Sequence, residues 1–414
     1  MPNILITNIK QLLTFKGPKS PRIGKWAGNV GLIKDASVLI KDGKITGFGK
    51  YKEVKKNSDA KKVKIIEANG IVLPGFCDSH THPAFTTSRI ADFNLRLKGL
   101  SYKEIKSKGG GITASIKDVR SSSEAELTES VLKNAKRFLS CGTTSIEAKS
   151  GYGLSLSSEI KSLRAIKNAG KKTPLKFVPT LLAAHSVPSE FKSAESYADY
   201  VIDKIIPQVA KEKLAVFCDV FCEKGFFSPK LSEKVLRAGL KYGLKPKIHA
   251  EQLTHCGGTN VACKVGALSV DHADFVSGKD IGLMAKKGVI ATLLPSSNHY
   301  LEIDKYPPVK DMIASGVPVA LATDFNPGSS PCWNMQFVIS LACIKMKMTV
   351  EQALVSATVN GAFAMGLGNK AGVIDKGANA DLAVFDVLDY RELAYYFGSN
   401  LCKLTICDGK ICFL

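Results

Sequence analysis

The feature that most constrains this chain is a repeated change of hydrophobic period. Apolar runs of strand length occur at 71–82, 143–148, 176–184, 215–222, 247–251, 269–275, 289–294 and 317–323. Each is continuous rather than alternating, as parallel strands covered on both faces should be. Helix-like spacing fills the intervals at 124–139, 158–168, 229–242, 259–265, 279–287 and 309–315. A further helix is predicted from 194 onward, and another closes the series at 350–365. Eight such units in about 290 residues predict an α/β fold, a (β/α)8 TIM-like barrel. The competing fold, an open doubly wound sheet, carries fewer strands and an early Gly-x-Gly-x-x-Gly turn. The sequence contains no such turn.

The two ends read differently. Short strands are expected at Ile4-Leu5-Ile6, Ala36-Ser37-Val38-Leu39-Ile40 and Leu382-Ala383-Val384-Phe385. Asp42-Gly43 and Asp408-Gly409, each between apolar residues, are hairpin signals. These ends predict one small β-sandwich assembled from residues 1–72 and 368–414, enclosing a barrel at 73–367.

Composition narrows the class. No apolar run approaches the ~20 residues of a membrane span. Met1-Pro2-Asn3-Ile4-Leu5-Ile6 lacks the charged start and apolar core of a secretion signal. The 11 cysteines, an odd number without a Cys-x-x-Cys pair, argue for a reducing, cytoplasmic setting rather than a disulfide framework. The formal charge of +20 raises the question of nucleic acid, but only 8 of the 57 basic residues are Arg. The densest basic run, 52–64, also contains Glu53 and Asp59. A Lys-rich solvated surface is the expectation, with no nucleic-acid or membrane partner and at most weak steering of a small anionic substrate.

The longest loop is expected at 83–123, after the first barrel strand. Its Gly109-Gly110-Gly111 triplet is preceded by Lys108 and followed by Ile112-Thr113, the wrong order for a phosphate-binding loop. A loop at this end of a barrel more often forms part of a substrate pocket.

All seven histidines fall between positions 80 and 299. His80 and His82 end the first predicted strand, two residues apart and so on one side of it. His185 follows the third, while His249 lies in the fifth and His272 in the sixth. Asp324 ends the eighth. One strand histidine is ordinary packing; five of seven at barrel strands are not. His80, His82, His249 and Asp324 form a ligand set for one Zn²⁺ or iron ion with a position left for water. His272 is placed to orient that water or move its proton, a role Asp324 shares. His255, near a helix start, and His299, in a loop, receive no role.

These residues carry a resemblance. Pro74-Gly75-Phe76-Cys77-Asp78-Ser79-His80-Thr81-His82, with His249 and Asp324, resembles the amidohydrolase superfamily. Finer motifs narrow the likeness: Ser88-Arg89, Phe93-Asn94-Leu95-Arg96-Leu97, Ser101-Tyr102-Lys103-Glu104-Ile105 and Glu147-Ala148-Lys149-Ser150-Gly151-Tyr152-Gly153-Leu154. With His249-Ala250-Glu251-Gln252 and Asp324-Phe325-Asn326-Pro327-Gly328-Ser329, they resemble the imidazolonepropionases over nearly the whole chain. The resemblance implies hydrolytic opening of 4-imidazolone-5-propanoate to N-formimino-L-glutamate, the third step of histidine degradation. It implies one Zn²⁺, Fe²⁺ or Fe³⁺ per subunit and a homodimer. Arg89 is the candidate grip for the substrate carboxylate. Tyr102, Tyr152 and His185 would line the pocket, and Asn326, Gly328 and Ser329 would contact substrate or product.

Three departures stand out. Many relatives have Glu where this chain has Gln252, so Gln252 is expected to hydrogen-bond the ring rather than accept a proton. Glu251 keeps a carboxylate next door, and sequence leaves open which of the two faces the substrate. The strand-three motif reads Ala183-Ala184-His185-Ser186, a mild change. Strand four ends in Cys222-Glu223, without the lysine that bridges two metals in dinuclear relatives, and Lys149 is read as a structural or polar pocket residue. The alternatives are another mononuclear amidohydrolase, such as a deaminase of a small nitrogen heterocycle, and a non-catalytic basic scaffold.

Overall fold

Eight parallel strands follow one another in chain order around a barrel. They are Phe76–Asp78, Thr143–Lys149, Lys176–Ala184, Phe217–Cys222, Ile248–Ala250, Ser269–His272, Ile290–Leu293 and Val319–Leu321, and a two-residue strand, Lys245–Pro246, flanks the fourth. The computed structural model describes residues 3–56, 63–100 and 102–414, without the side chains of 102, 103 and 106. Of the basic run at 52–64, residues 57–62 therefore lie outside the described residues.

The seam between the eighth and first strands is closed differently from the other junctions. The Asp78 carboxylate accepts the Thr323 N–H at 3.0 Å and the Thr323 hydroxyl at 2.6 Å. Beyond it Thr81 bridges to Phe325, and His82 N donates to Phe325 O at 2.8 Å. A side chain thus does the work of a ladder rung, and it sits directly below the two histidines that follow it.

The helices start where the local chemistry dictates. Ser123 and Glu126 form a capping box on Glu124–Ser140, and Ser277 and Asp280 do the same for Gly278–Lys287. Four expectations need correction. The apolar run 71–82 is two strands, because Ile71–Pro74 pairs with Asn3–Leu13 and Leu382–Phe385 while only Phe76–Asp78 joins the barrel. The crossing is at Gly75, where a Cβ would overlap Thr144. The segment 83–123 is not one loop; it contains the helices Ile90–Leu97, Tyr102–Ser107 and Ile112–Ser121. The helix at 350–365 is broken at Thr358 into Val350–Ala357 and Val359–Ala364. His299 lies in the short helix Pro295–Tyr300 rather than in a loop. The longest helix outside the predicted set is Met335–Met346. It is buried on most sides, so its sequence shows no polar face to mark the helical period.

Strands from both ends form one eight-stranded sheet. Its two limbs share an apolar cluster that includes Ile4, Ile6, Val38 and Ile40 from the N-terminal part, and Leu382, Val384, Leu404 and Ile406 from the C-terminal part. Both Asp-Gly pairs make the anticipated hairpin turns, with φ of 49° and 75° at Asp42 and Gly43, and 46° and 74° at Asp408 and Gly409. Ala380 joins the turns: its N–H donates to Gly43 O at 2.9 Å and its carbonyl accepts from Gly409 N at 3.0 Å. All eleven cysteines are free thiols. Among the described residues no helix is long and apolar enough to cross a membrane.

Candidate active site

The C-terminal ends of the barrel strands gather the histidines. His80 and His82 follow the first strand, His249 lies within the fifth and His272 ends the sixth; all are buried. Nε2 of His80 and Nε2 of His82 are 3.3 Å apart, and each lies 3.6 Å from Asp324 Oδ1. Two nitrogens each ~2.1 Å from one ion at a tetrahedral angle would stand roughly 3.4 Å apart. His249 closes a second triangle with His80 and His82, every donor atom within 4.8 Å of the others. The donor set therefore fits one divalent ion. His272 forms a similar group with His80 and Asp324, which places it at the edge of the same centre.

The backbone bends to present these groups. Glu251, His272 and Asp324, at or just past the ends of strands five, six and eight, have φ of 56°, 79° and 52°. Left-handed backbone at three non-glycine residues is unfavourable and clusters where function requires it.

Beneath the histidines lies a network that the sequence reading did not assemble. His80 Nδ1–H donates to Asp271 Oδ2 at 2.6 Å, which turns the Nε2 lone pair toward the cluster. His249 Nδ1 lies 2.9 Å from Asp219 Oδ2. Lys149 Nζ bridges these carboxylates, 2.6 Å from Asp219 and 3.4 Å from Asp271, and also reaches Glu147 at 2.9 Å. Lys247 Nζ donates to Glu147 at 2.6 Å and to Ser79 O at 3.0 Å. All five charged side chains are fully buried. Burial pushes the Asp271 carboxyl up, but the ammonium groups of Lys247 and Lys149 outweigh it and bring it to about 2. Burial pulls the Lys149 ammonium down, and Asp219, Glu147 and Asp271 more than reverse this, so it stays charged. The available signal was a charged residue on alternate positions of an apolar strand: Glu147 and Lys149, Asp219, Lys247 and His249.

The other anticipated residues fall in four places. His185 stacks on His82 with ring centres 5.4 Å apart, held by a hydrogen bond from Nδ1 to Gly151 O at 2.9 Å, and Tyr152 packs against both rings. Burial draws His185 down to about 4. Arg89 Nε donates to Asp92 Oδ2 at 2.7 Å, and the guanidinium lies where a side chain at Gly328 would otherwise go. The side chain of Tyr102 lies outside the described residues. Asn326 turns inward: its amide donates to Asp324 O and Ser329 Oγ, and its oxygen accepts from Gly328 N and Ser329 N. All four of its hydrogen-bonding positions are thereby occupied within the loop. Ser329 Oγ lies 3.5 Å from Asp324 Oδ2, whereas Oδ1 is the oxygen nearer His80 and His82.

The open question about Glu251 and Gln252 has a structural answer. The Glu251 carboxylate accepts backbone N–H groups from Cys256 at 2.7 Å, Gly257 at 3.2 Å and Thr259 at 3.0 Å, the last two at the start of the helix Gly258–Val265. It is a buried anchor for that helix start. Glu223 accepts from Leu253 N at 2.9 Å and from Thr254 N at 3.3 Å. Two carboxylates therefore fix the segment that carries the half-buried Gln252. His255 pairs with Asp280 at 2.8 Å on the exterior, and His299 packs on Phe337.

Comparison with known proteins matches this arrangement to a family. Residues 71–412 match the Amidohydrolase family model. An imidazolonepropionase of Flavobacterium psychrophilum is 43% identical over 413 residues, covering 98% of this chain and 99% of that one. An imidazolonepropionase of Thermoanaerobacter pseudethanolicus is 42% identical over 399 residues, covering 96% and 95%. The chain belongs to the imidazolonepropionase family of amidohydrolases. Among solved structures, E. coli guanine deaminase superposes with a TM-score of 0.76 at 16% identity, covering 100% of this chain and 99% of that one. An adenosine deaminase from Xanthomonas campestris with bound zinc gives a TM-score of 0.69 at 16% identity, covering 99% of this chain and 93% of that one. These distant likenesses establish the fold of the family member described here and nothing further.

Proposed function

We propose that this chain hydrolyses the cyclic amide C–N bond of 4-imidazolone-5-propanoate to give N-formimino-L-glutamate. The observation that carries this reading is the connection between Arg89 and Asp324. The Arg89 guanidinium lies against Gly328, Gly328 and Ser329 are tied to Asn326, and Ser329 reaches Asp324. A group suited to a carboxylate and a group suited to hydrolysis are held by one six-residue loop.

Water oxygen adds to the ring carbonyl carbon, the bond from that carbon to the adjacent ring nitrogen breaks, and the nitrogen leaves with a proton. His80, His82, His249 and Asp324 would hold one Zn²⁺, Fe²⁺ or Fe³⁺. The ion supplies Lewis acidity and brings water into the range where hydroxide forms near neutral pH. Burial brings His272 down to about 3, so its imidazole is neutral and can accept a hydrogen bond that orients the attacking water. Burial also pushes the Asp324 carboxyl up to about 7. Its Oδ1 faces His80 and His82, which leaves Oδ2, beside Ser329, to pass a proton toward the ring nitrogen. Gln252 donates to or accepts from the ring, and Arg89 grips the propanoate carboxylate in the bidentate manner its planar fork allows. His185 and Tyr152 form the wall beside His82.

The test is an ultraviolet assay on freshly made 4-imidazolone-5-propanoate together with metal analysis of the purified protein. Turnover with about one metal per chain, lost on chelation and restored by Zn²⁺ or Fe²⁺, is expected for a single-ion site. Ammonia release from a purine or pyrimidine without turnover of the imidazolone would favour the deaminase reading instead. A cytoplasmic homodimer is part of this proposal; free thiols support a reducing compartment, and light scattering on the purified protein tests the dimer.

A further inference from the structure

Two glycines near Arg89 have no conformational reason to be glycine. Neither Gly110 nor Gly328 has a positive φ. What each lacks is room. A Cβ at Gly110 would overlap Asp92 Oδ1 and lie 2.7 Å from Ile105 Cγ2; one at Gly328 would overlap the Arg89 guanidinium, 2.7 Å from Cζ. Gly328 is small because Arg89 occupies its space, and Gly110 because Asp92 and Ile105 do, so both members of one ion pair, Arg89 with Asp92, lie against a glycine.

That pair is built into the fold. Asp92 is 6% exposed, and its Oδ2 accepts both Arg89 Nε at 2.7 Å and Gly111 N at 2.9 Å. The Gly109-Gly110-Gly111 triplet, which resembles no phosphate loop, thus supplies a close approach and an N–H to a carboxylate. Upstream, Asp118 accepts from Thr86 N at 2.9 Å and Thr87 N at 3.1 Å, which fixes the backbone leading into Arg89. With Nε engaged by Asp92, the remaining donors of the guanidinium are the ones that lie over Gly328.

We infer that Asp92 is a specificity-positioning residue that holds Arg89 so that its terminal nitrogens face the substrate carboxylate, with Gly110 and Gly328 small to make space for the pair. The inference rests on the imidazolone propanoate reading of the site. Positioning and simple electrostatics make opposite predictions. A carboxylate beside Arg89 offsets its charge and repels a second anion, so charge alone predicts that removing Asp92 tightens binding. Positioning predicts that removal weakens it, because an unanchored guanidinium must be ordered by the substrate.

Metal-loaded wild type, Asp92→Ala, Asp92→Asn and Gly328→Ala are compared on 4-imidazolone-5-propanoate and on 5-methyl-4-imidazolone, which lacks the carboxylate. Asp92→Ala should raise KM for the propanoate about 10-fold, the loss of one charge-assisted hydrogen bond, with kcat and the methyl compound little affected. Asp92→Asn, which retains an acceptor oxygen, should recover most of the loss. Gly328→Ala displaces Arg89 directly and should likewise raise KM for the propanoate, so the inference remains testable if Asp92→Ala does not fold. An unchanged or lower KM in Asp92→Ala, or an equal loss on both substrates, overturns it. Calorimetric titration with glutarate reads the clamp without turnover. Weaker binding by Asp92→Ala supports the inference; equal affinity, or no binding by wild type, overturns it. A wild type that binds glutarate but does not open the imidazolone would instead overturn the proposed reaction.

Discussion

His80 Nδ1 lies 2.6 Å from Asp271 Oδ2, and both side chains are fully buried. The contact fixes which nitrogen of His80 carries the proton, and hence which one faces His82 and Asp324. In the proposed metal site Asp271 would therefore orient a ligand without being one. Asp271→Ala should weaken metal binding by about 10–100-fold, the usual cost of losing an outer partner of a ligand histidine. Competition with a chromogenic chelator measures this directly. Unchanged affinity in a folded variant would show that His80 is oriented by packing alone.

Lys149 is the only ammonium within ion-pair distance of Asp219 among the described residues, whereas Asp271 and Glu147 also have Lys247. Lys149→Met thus leaves Asp219 as a buried carboxylate without an ammonium in ion-pair contact. Removing one member of a buried pair typically costs roughly 3–5 kcal/mol, and denaturant unfolding should show a loss of that size. Adding Asp219→Asn removes the stranded charge and should restore part of the stability. If the double variant is no more stable than Lys149→Met, the loss comes from packing rather than from charge.

The sequence revealed the candidate metal ligands more readily than what holds them. His80, His82, His249 and Asp324 stood out because imidazoles and a carboxylate recur at the ends of otherwise apolar runs. Asp219, Asp271 and Lys247 lie within such runs, and their partners are distant in sequence, so no local spacing pairs them. The same limit hid the crossing at Gly75: Ile71–Pro74 and Phe76–Asp78 are both fully buried and form one hydropathic run, although they belong to different sheets. The role of Glu251 was open because strand alternation ends there; its left-handed backbone turns the carboxylate into the next helix start instead.

Glu251→Ala should leave the N–H groups of Cys256, Gly257 and Thr259 without their acceptor. Each buried N–H left unpaired costs about 1–3 kcal/mol, although water entering the half-buried segment would offset part of it. The expected result is a lower unfolding midpoint together with a fall in kcat, because Gln252 sits on the loosened segment. Glu251→Gln keeps one acceptor oxygen and should be intermediate in both. Hydrogen exchange at 252–259 locates the change; protection equal to wild type would remove Glu251 as the anchor.

His185 gives a pH dependence with a definite sign. Burial draws it from its ordinary 6.5 down to about 4 in the folded protein. Between these values the unfolded chain binds a proton that the folded chain does not, so the unfolded state gains as pH falls. The contribution of His185 to stability is therefore flat above about 6.5, declines as pH drops toward about 4, and is flat again below that. Replacing it with Asn removes this acid sensitivity while the other buried histidines remain. The stability curve of His185→Asn between pH 4 and 6.5 should be shallower than that of wild type by at most about 1.4 kcal/mol per pH unit. Denaturant unfolding across this range measures both curves. Parallel curves would mean that His185 titrates alike in the folded and unfolded chains, and that the wall beside His82 is open enough to water to hold a charged imidazole.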